Sequence, residues 1–156
     1  MQIHSLGFDD FSEDDYSLIG IHTALEDFKL AYLLNKNLST SFYKSREDLN
    51  IEDQQTKASF SIFNYFSKEY DFDWSLIANS SKTENQQESN ELLLSSETKT
   101  YLIAEMNKVD FFIKISGELE DSFLSDTIEK IKNIDQIITS YFIDKDKLKS
   151  KEFLIF

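Results

Sequence analysis

The sequence predicts a single α+β domain over residues 1–156, in which a mostly antiparallel sheet of about six or seven strands carries two helices on one face. Three observations lead to this prediction. Apolar residues alternate, or run without interruption, over several segments of strand length. Two other segments carry apolar residues at helical spacing. The chain has 156 residues, 40% of them hydrophobic, and its 14 Phe, 7 Tyr and 1 Trp supply enough apolar surface for one core.

The first elements are an acidic segment, a strand and a helix. Residues 1–15 end in a run of Asp and Glu and are expected to form an acidic entry loop. Residues 16–21 are apolar on both alternations, which is typical of a central strand buried on both sides. Thr23 and Glu26 match a capping box, so a helix is predicted over residues 24–35. Its apolar stripe consists of Leu25, Phe28, Ala31 and Tyr32.

The middle of the chain is predicted to form a meander. We expect a hairpin turn at residues 68–71. Residues 80–99 form a polar stretch, for which we expect a flexible loop. The strands predicted around these two segments cover residues 41–49, 58–66, 73–79 and 100–105.

The last third is predicted to repeat the order of the first. A strand over residues 109–116 and a strand over residues 137–143 enclose a helix over residues 122–133. The chain would then contain two β-α-β units with the meander between them, a pseudo-repeat that suggests analogy with ferredoxin-like or ACT-like folds. Residues 145–156 form a Lys-rich tail with an apolar end.

Charge and composition exclude several classes of function. The formal net charge of −13 disfavours direct binding to nucleic acid or to an anionic membrane, because both would repel the protein. The chain has no Cys, which excludes disulfides and thiolate metal sites. Neither a secretory signal nor a spanning segment is recognisable, so the expected location is cytoplasmic.

Motifs for catalysis or cofactor binding are absent from the sequence. It has no nucleophile elbow, no zinc-protease motif and no phosphate-binding loop, and its three glycines are too few to build one. We therefore predict no cofactor, no metal site and no catalytic residue. The acidic run at residues 9–15 could hold a hard cation, but a solvated loop is the simpler interpretation. Glu105 and Asp110 remain an alternative, since paired carboxylates can divide acid and base roles.

Residues 103–111, with the sequence IAEMNKVDF, carry a family signature. Ile103, Glu105, Val109 and Asp110 match the pattern of the IPExxxVDY family, small proteins of Bacteroidetes-type bacteria, which this chain resembles. Ala104 replaces the Pro of the pattern, and Phe111 replaces its Tyr. Residues 15–19, 25–32 and 148–156 extend the resemblance. It implies no particular activity, and the missing Tyr hydroxyl argues against phenol chemistry at position 111.

Two further sets of residues are candidates for binding. His22 and Thr23 lie at the predicted start of the first helix, where free backbone amides attract anions, and Ser116 and Gly117 occupy the corresponding point of the second unit. If the two units are adjacent, these four residues form a small-ligand site.

The apolar end of the tail is the second candidate. It either folds into the core or docks on a partner. Our leading hypothesis is a non-enzymatic module that binds a protein partner or forms a homodimer, and a small-ligand sensor is the alternative. The candidate docking residues are Phe153, Leu154, Ile155 and Phe156.

Overall fold

Within residues 15–52, 57–84 and 97–156, which the computed structural model describes, the chain forms ten strands and two α-helices. The helices are α1 (Asp27–Leu38) and α2 (Asp121–Lys132). Single 3₁₀ turns lie at Ala104–Met106, Lys145–Lys147 and Lys151–Leu154. The strands are β1 (Tyr16–Thr23), β2 (Tyr43–Lys44), β3 (Leu49–Glu52), β4 (Lys57–Phe60), β5 (Ile62–Ser67), β6 (Phe72–Ala78), β7 (Ser80–Glu84), β8 (Glu97–Tyr101), β9 (Phe111–Ser116) and β10 (Ile137–Ile143).

Six strands form the main sheet in the order β10-β1-β9-β6-β5-β2, and every neighbouring pair is antiparallel. Both β9 and β10 are antiparallel to β1, so they run parallel to each other with β1 between them. The unit β9-α2-β10 is therefore a split β-α-β. The first unit differs, because three strands separate β1 from β2. The predicted repeat thus holds in element order but not in strand spacing.

The two faces of the sheet are covered by different elements. Both helices pack on one face, which confirms the predicted α+β class. We call the core beneath them the helix-side core, and it is built around Ile19, Ile21, Leu30, Leu34, Ile113 and Ile131. The opposite face carries the hairpin β3-β4, residues 102–109 and the C-terminal segment. We call its core the loop-side core, and it is built around Leu18, Phe60, Ile77, Ile103, Phe112 and Leu154.

The prediction for the first helix is wrong at its start and in two residues of its apolar stripe, whereas Ala31 is buried and Leu25 packs against the core as predicted. The helix begins at Asp27 with Glu26 as N-cap, and the N-cap side chain makes no capping hydrogen bond. Thr23 is instead the last residue of β1, where it pairs with Ile137 of β10, so the strand occupies the first position of the predicted capping box. Phe28 and Tyr32 are exposed, whereas the sheet is contacted by Leu30, Ala31 and Leu34.

The meander contains more interruptions than predicted. The segment 41–49 forms only the two-residue β2 and the first residue of β3, and the segment 58–66 divides at Ser61 into β4 and β5. The predicted hairpin turn at residues 68–71 is confirmed, and Asp71 adopts a left-handed conformation there with φ 60°.

The predicted polar loop at residues 80–99 is corrected at both ends. Ser80–Glu84 and Glu97–Tyr101 pair as the antiparallel strands β7 and β8. The predicted strand over 100–105 therefore ends at Tyr101 and gives way to a 3₁₀ turn. The rest of that loop, and residues 1–14 of the acidic segment, lie outside the described residues. None of the described helices is long and apolar enough to cross a membrane.

Candidate functional site

Asn79 organises the segment that carries the family signature. This residue follows β6, is fully buried, and directs its side-chain amide into residues 102–110. Its Nδ2 donates to the carbonyl oxygens of Met106 and Val109, both at 2.9 Å, and its Oδ1 accepts from the Ile103 N–H at 2.8 Å. Buried backbone groups need such partners, so one side chain fixes the shape of the whole segment. Ile103 and Val109 complete it as members of the loop-side core.

Glu105 holds the C-terminal segment against this turn. Its Oε1 accepts from the backbone N–H groups of Lys149 and Ser150, both at 2.8 Å, and its Oε2 accepts from the Ser150 hydroxyl at 3.0 Å. Partial burial acts to raise the pKa of the Glu105 carboxyl, but hydrogen bonds from its own backbone, Ser150 and Lys149 outweigh burial and lower that pKa. The Glu105 carboxylate therefore holds residues 149 and 150 of the C-terminal segment against the 3₁₀ turn that contains Glu105.

Asp110 has a different partner from Glu105. Its Oδ2 accepts from the Thr23 N–H at 2.9 Å, while the Asp110 N–H donates to the Ile21 carbonyl at 3.0 Å. The Asp110 carboxylate thus ties the end of β1 to the start of β9. Glu105 and Asp110 bind separate backbone segments, so the geometry gives no support to a shared acid–base site.

The four residues of the predicted ligand site are divided between two ends of the sheet. His22 donates or accepts a hydrogen bond with the Tyr141 hydroxyl at 2.9 Å, and the Thr23 hydroxyl donates to the Gln136 carbonyl at 2.8 Å. Ser116 pairs with Tyr16 at the opposite end of β1. Seven residues of strand, about 23 Å, separate Thr23 from Ser116.

Gly117 follows Ser116 and has a structural reason to be glycine. Its φ is +108°, a region that residues with a Cβ rarely adopt, and a Cβ there would come within 2.8 Å of the Phe72 ring. The hypothesis of one site made by all four residues is therefore wrong.

The apolar C-terminal residues contact their own domain. Leu154 is fully buried in the loop-side core, and its carbonyl accepts a hydrogen bond from Lys114 Nζ at 2.5 Å. Lys114 Nζ also lies 4.9 Å from the ring centroid of Tyr16 and 4.5 Å from that of Phe156. Burial, followed by the nearby charge of Lys145, lowers the pKa of Lys114. Leu154 is therefore unavailable to a partner, and only Ile155 and Phe156 stay exposed.

A polar cleft at the start of α1 was not expected from the sequence. Lys44 Nζ donates to Asp48 at 2.8 Å and to the Ser61 hydroxyl at 2.7 Å, and Ser61 donates to Asp27 at 2.5 Å. Since the Lys44 ammonium donates to both Asp48 and Ser61, it cannot serve as the base for the Ser61 hydroxyl. Among the described residues, no group of three or more His, Asp or Glu side chains is placed to hold a metal ion.

The outer edge of β10 is the feature that is most open to a partner. Within the described part of the chain, no strand pairs with this side of β10. All seven residues of the strand, IITSYFI, are uncharged, and the exposed fractions of Ile138 and Phe142 are 75% and 53%. A long, uncharged, apolar edge strand is a template for pairing with another chain. The sequence shows the uncharged run, but only the strand order reveals that it lies at an edge.

The register identifies the backbone groups that point outward. On β1, the carbonyls of Asp15 and Ile21 accept bonds from the β9 side. Alternate residues of an antiparallel strand turn to opposite sides, so Leu18, Gly20 and His22 face β10. They pair with Ile143, Tyr141 and Thr139. The N–H and C=O groups of Ser140 and Phe142 are therefore directed at the open edge.

Comparisons with known proteins identify no relative of this chain. No family model, no curated protein and no solved structure matches the chain.

Proposed function

We propose that the protein is a non-enzymatic, self-associating module in which two copies pair along β10. The open, uncharged edge of β10 is the observation that supports this function. Strand addition would extend the six-stranded sheet of one copy into the sheet of the other. The expected cytoplasmic location and membership of the IPExxxVDY family are part of the same proposal.

A second copy fits this edge because a strand can pair with itself about a two-fold axis. A register shift between His22 and Thr23 interrupts the ladder near Ile138, so the regular part of β10 runs over residues 139–143. Its centre is Tyr141. A two-fold axis at Tyr141 places Ser140 opposite Phe142 of the second copy, and the reverse. The outward backbone groups of both residues would then be satisfied in both copies.

The net charge of each copy affects the strength of the dimer but does not hold the two copies together. Each copy carries a formal net charge of −13, so two copies repel each other over distances comparable with the Debye length. The edge itself has no charge, and its contacts do not weaken when salt is added. The dimer should therefore become tighter as ionic strength rises, whereas a dimer held by ion pairs would become weaker.

Cysteine cross-linking tests the register directly, because the natural chain has no Cys. In Tyr141→Cys, the two introduced thiols would face each other in a non-hydrogen-bonded pair. The Cα separation there is about 4.5 Å, which suits a disulfide. We expect Tyr141→Cys to form a covalent dimer under mild oxidation. Tyr43→Cys, at an exposed position on the opposite edge strand β2, should stay monomeric on the same gel.

Blocking the edge provides the second test. Phe142→Pro removes an outward N–H and leaves the bonds to β1, so we expect sedimentation velocity to show monomers. Tyr141→Lys places like charges opposite each other and should have the same result, whereas Tyr43→Lys should sediment like the wild type. A wild-type protein that is monomeric at all concentrations would overturn self-association. If a stoichiometric protein partner then binds the wild type and Tyr43→Lys but not Phe142→Pro, the edge serves a different chain.

A further inference from the structure

One corner of the main sheet is left open by the elements that cover its loop-side face. Ile62 of β5 is buried in the loop-side core, and the side chains of a strand alternate between its two faces. Asn64 and Phe66 therefore point to the same face as Ile62. Tyr43 of β2 pairs with Asn64 and shares that face as well. The exposed fractions of Tyr43 and Phe66 are 62% and 46%, so the cover ends between Ile62 and these two rings.

Two residues of β6 complete this corner. Asp73 pairs with Phe66, and Ser75 pairs with Asn64, so both lie on the loop-side face. We call the surface formed by Tyr43, Asn64, Phe66, Asp73 and Ser75 the corner face. The strand order places β2, β5 and β6 together at one end of the main sheet and β10 at the other end. A function of the corner face is therefore separate from pairing along β10.

The two aromatic rings of the corner face are open to a ligand. Within the described residues, neither Tyr43 nor Phe66 pairs with another ring or lies beneath a cation. Phe66 is two residues from Asn64, the partner of Tyr43, so the two Cα atoms lie about 7–8 Å apart on the diagonal. Since carbon atoms in contact are about 3.5–4 Å apart, one planar group fits between two rings at that spacing.

Asp73 gives the corner face a negative charge. Its side chain is exposed, and among the described residues it forms no ion pair with a Lys or Arg. Lys114 is the ladder partner of Ser75, but it is buried and donates to the Leu154 carbonyl. The neighbouring turn at residues 68–71 adds one basic and two acidic side chains. The corner face is therefore acidic, as is the whole chain with its net charge of −13, and this charge attracts basic partners.

Asn64 adds a hydrogen-bond donor to the corner face. The Ser75 hydroxyl donates to Asn64 Oδ1 at 3.2 Å, which orients the amide. Asn64 Nδ2 has no partner among the described residues. An extended peptide offers backbone carbonyl oxygens to such a donor. The corner face thus combines two open rings, one carboxylate and one amide donor.

We propose that the corner face binds an arginine-bearing segment of a partner protein, a function that goes beyond self-association. The guanidinium group lies against the rings of Tyr43 and Phe66 and donates to the carboxylate of Asp73, which is directly opposite Phe66 in the ladder. A guanidinium is both planar and charged, whereas a lysine ammonium has no flat face to stack. A neutral ring would leave the carboxylate of Asp73 unpaired. Asn64 Nδ2 donates to a carbonyl of the same segment.

Short peptides test this proposal on the full chain. We would titrate an acetylated and amidated pentapeptide of sequence GRGRG and follow the backbone amides in ¹H–¹⁵N correlation spectra. We expect saturable shifts at the amides of Tyr43, Phe66 and Asp73. The peptide with lysine in place of arginine should bind about threefold more weakly, because it loses the stacked planar group. The peptide with citrulline, which is planar but uncharged, should also bind more weakly than the arginine peptide.

Two pairs of variants show where the peptide binds. Asp73→Asn should raise the dissociation constant about threefold to fivefold, the scale of one exposed ion pair. Asp126→Asn makes the same change in net charge at an exposed position on α2, and should have no effect at physiological ionic strength, where distant charges are screened. Phe66→Leu keeps an apolar side chain but removes the ring, and should weaken binding about threefold. Phe28→Leu, at an exposed position on α1, should leave the affinity unchanged.

Three results would overturn the proposal. The first is a wild-type spectrum that the arginine peptide does not change. The second is an equal affinity for the arginine and lysine peptides. The third is an equal loss of affinity in Asp73→Asn and Asp126→Asn, which would mean that the peptide responds to net charge rather than to the corner face. Phe142→Pro, in which the β10 edge is blocked, should bind the peptide like the wild type, so failure of self-association would leave this result unchanged.

Discussion

The helix-side and loop-side faces of the main sheet bury similar sets of aliphatic residues, but the layers above them differ. Over the helix-side core, α1 and α2 satisfy most of their own backbone groups and contribute mainly apolar side chains such as Leu34 and Ile131. Over the loop-side core, irregular segments bring unpaired backbone groups to the sheet. There the structure uses Asn79, Glu105 and Lys114, each of which hydrogen-bonds to main-chain atoms of a covering segment.

The difference shows what an irregular cover requires. A helix makes its backbone hydrogen bonds internally, so the sheet below it needs to supply only an apolar surface. A loop over a core needs side chains placed to match its particular carbonyls and amides. Stability on the loop side should therefore depend on a few polar residues, and stability on the helix side on apolar volume. Three substitutions on the loop side, the first compared with Leu34→Ala on the helix side, test this difference.

Asn79→Ala should have the largest effect. It leaves the Ile103 N–H and the Met106 and Val109 carbonyls without their partner, at about 1–3 kcal/mol for each group that stays buried. We expect the free energy of unfolding to fall by about 3–5 kcal/mol in a denaturant titration. That matches the loss of about 2–5 kcal/mol expected for Leu34→Ala on the helix side, which removes only apolar volume. A loss below about 1 kcal/mol for Asn79→Ala would contradict the comparison.

Lys114→Met should have an intermediate effect that depends on pH. At neutral pH it leaves the Leu154 carbonyl unpaired, a cost of about 1–2 kcal/mol. Because burial lowers the pKa of Lys114, the unfolded chain binds more protons than the folded one between the folded and unfolded pKa values. The free energy of unfolding of the wild type should therefore rise with pH across that interval.

The control for this prediction is Lys149→Met, which removes an exposed lysine from the C-terminal segment that Lys114 binds. Denaturant titrations from neutral to alkaline pH should show the contribution of Lys114 as a difference between the two variants. Parallel pH profiles for both variants would mean that Lys114 titrates as an ordinary surface lysine.

Glu105→Gln should have the smallest effect, below about 1 kcal/mol, because the carboxylate is exposed to solvent. The lowered pKa of Glu105 stabilises the fold above the ordinary carboxyl pKa, and this contribution is lost as pH falls through the folded value. The variant should differ from the wild type at neutral pH and converge with it in acid. Thermal melts at several pH values would measure this, and a constant difference at every pH would show that the charge plays no part.

The sequence predicts the regular elements of this fold well where their pattern is local. The strand Ile137–Ile143 and the helix Asp121–Lys132 follow from periods of two and 3.6 residues. The start of α1 could not be predicted from the local sequence. The Thr23 hydroxyl donates to the Gln136 carbonyl, and the Thr23 N–H donates to the Asp110 carboxylate. Both partners are distant in sequence, so no local motif can show that Thr23 bonds to them instead of capping the helix.

The candidate sites were harder to predict for a related reason. The sequence shows that Glu105 and Asp110 are carboxylates close to each other in the chain. It does not show which backbone N–H groups each carboxylate binds, and those partners determine their roles. Asn79 had only the weak signal of an amide at the end of an apolar strand. The corner face and the open side of β10 are properties of the assembled sheet, and no spacing in the sequence encodes them.

The position of β1 has a consequence for how the chain folds as it is made. This strand is synthesised long before its two neighbours, β9 and β10, which both come from the last third of the residues. Pairs such as Leu18 with Ile143 close a very long loop, which slows folding. Until β9 and β10 have been synthesised, β1 therefore lacks both of its partner strands.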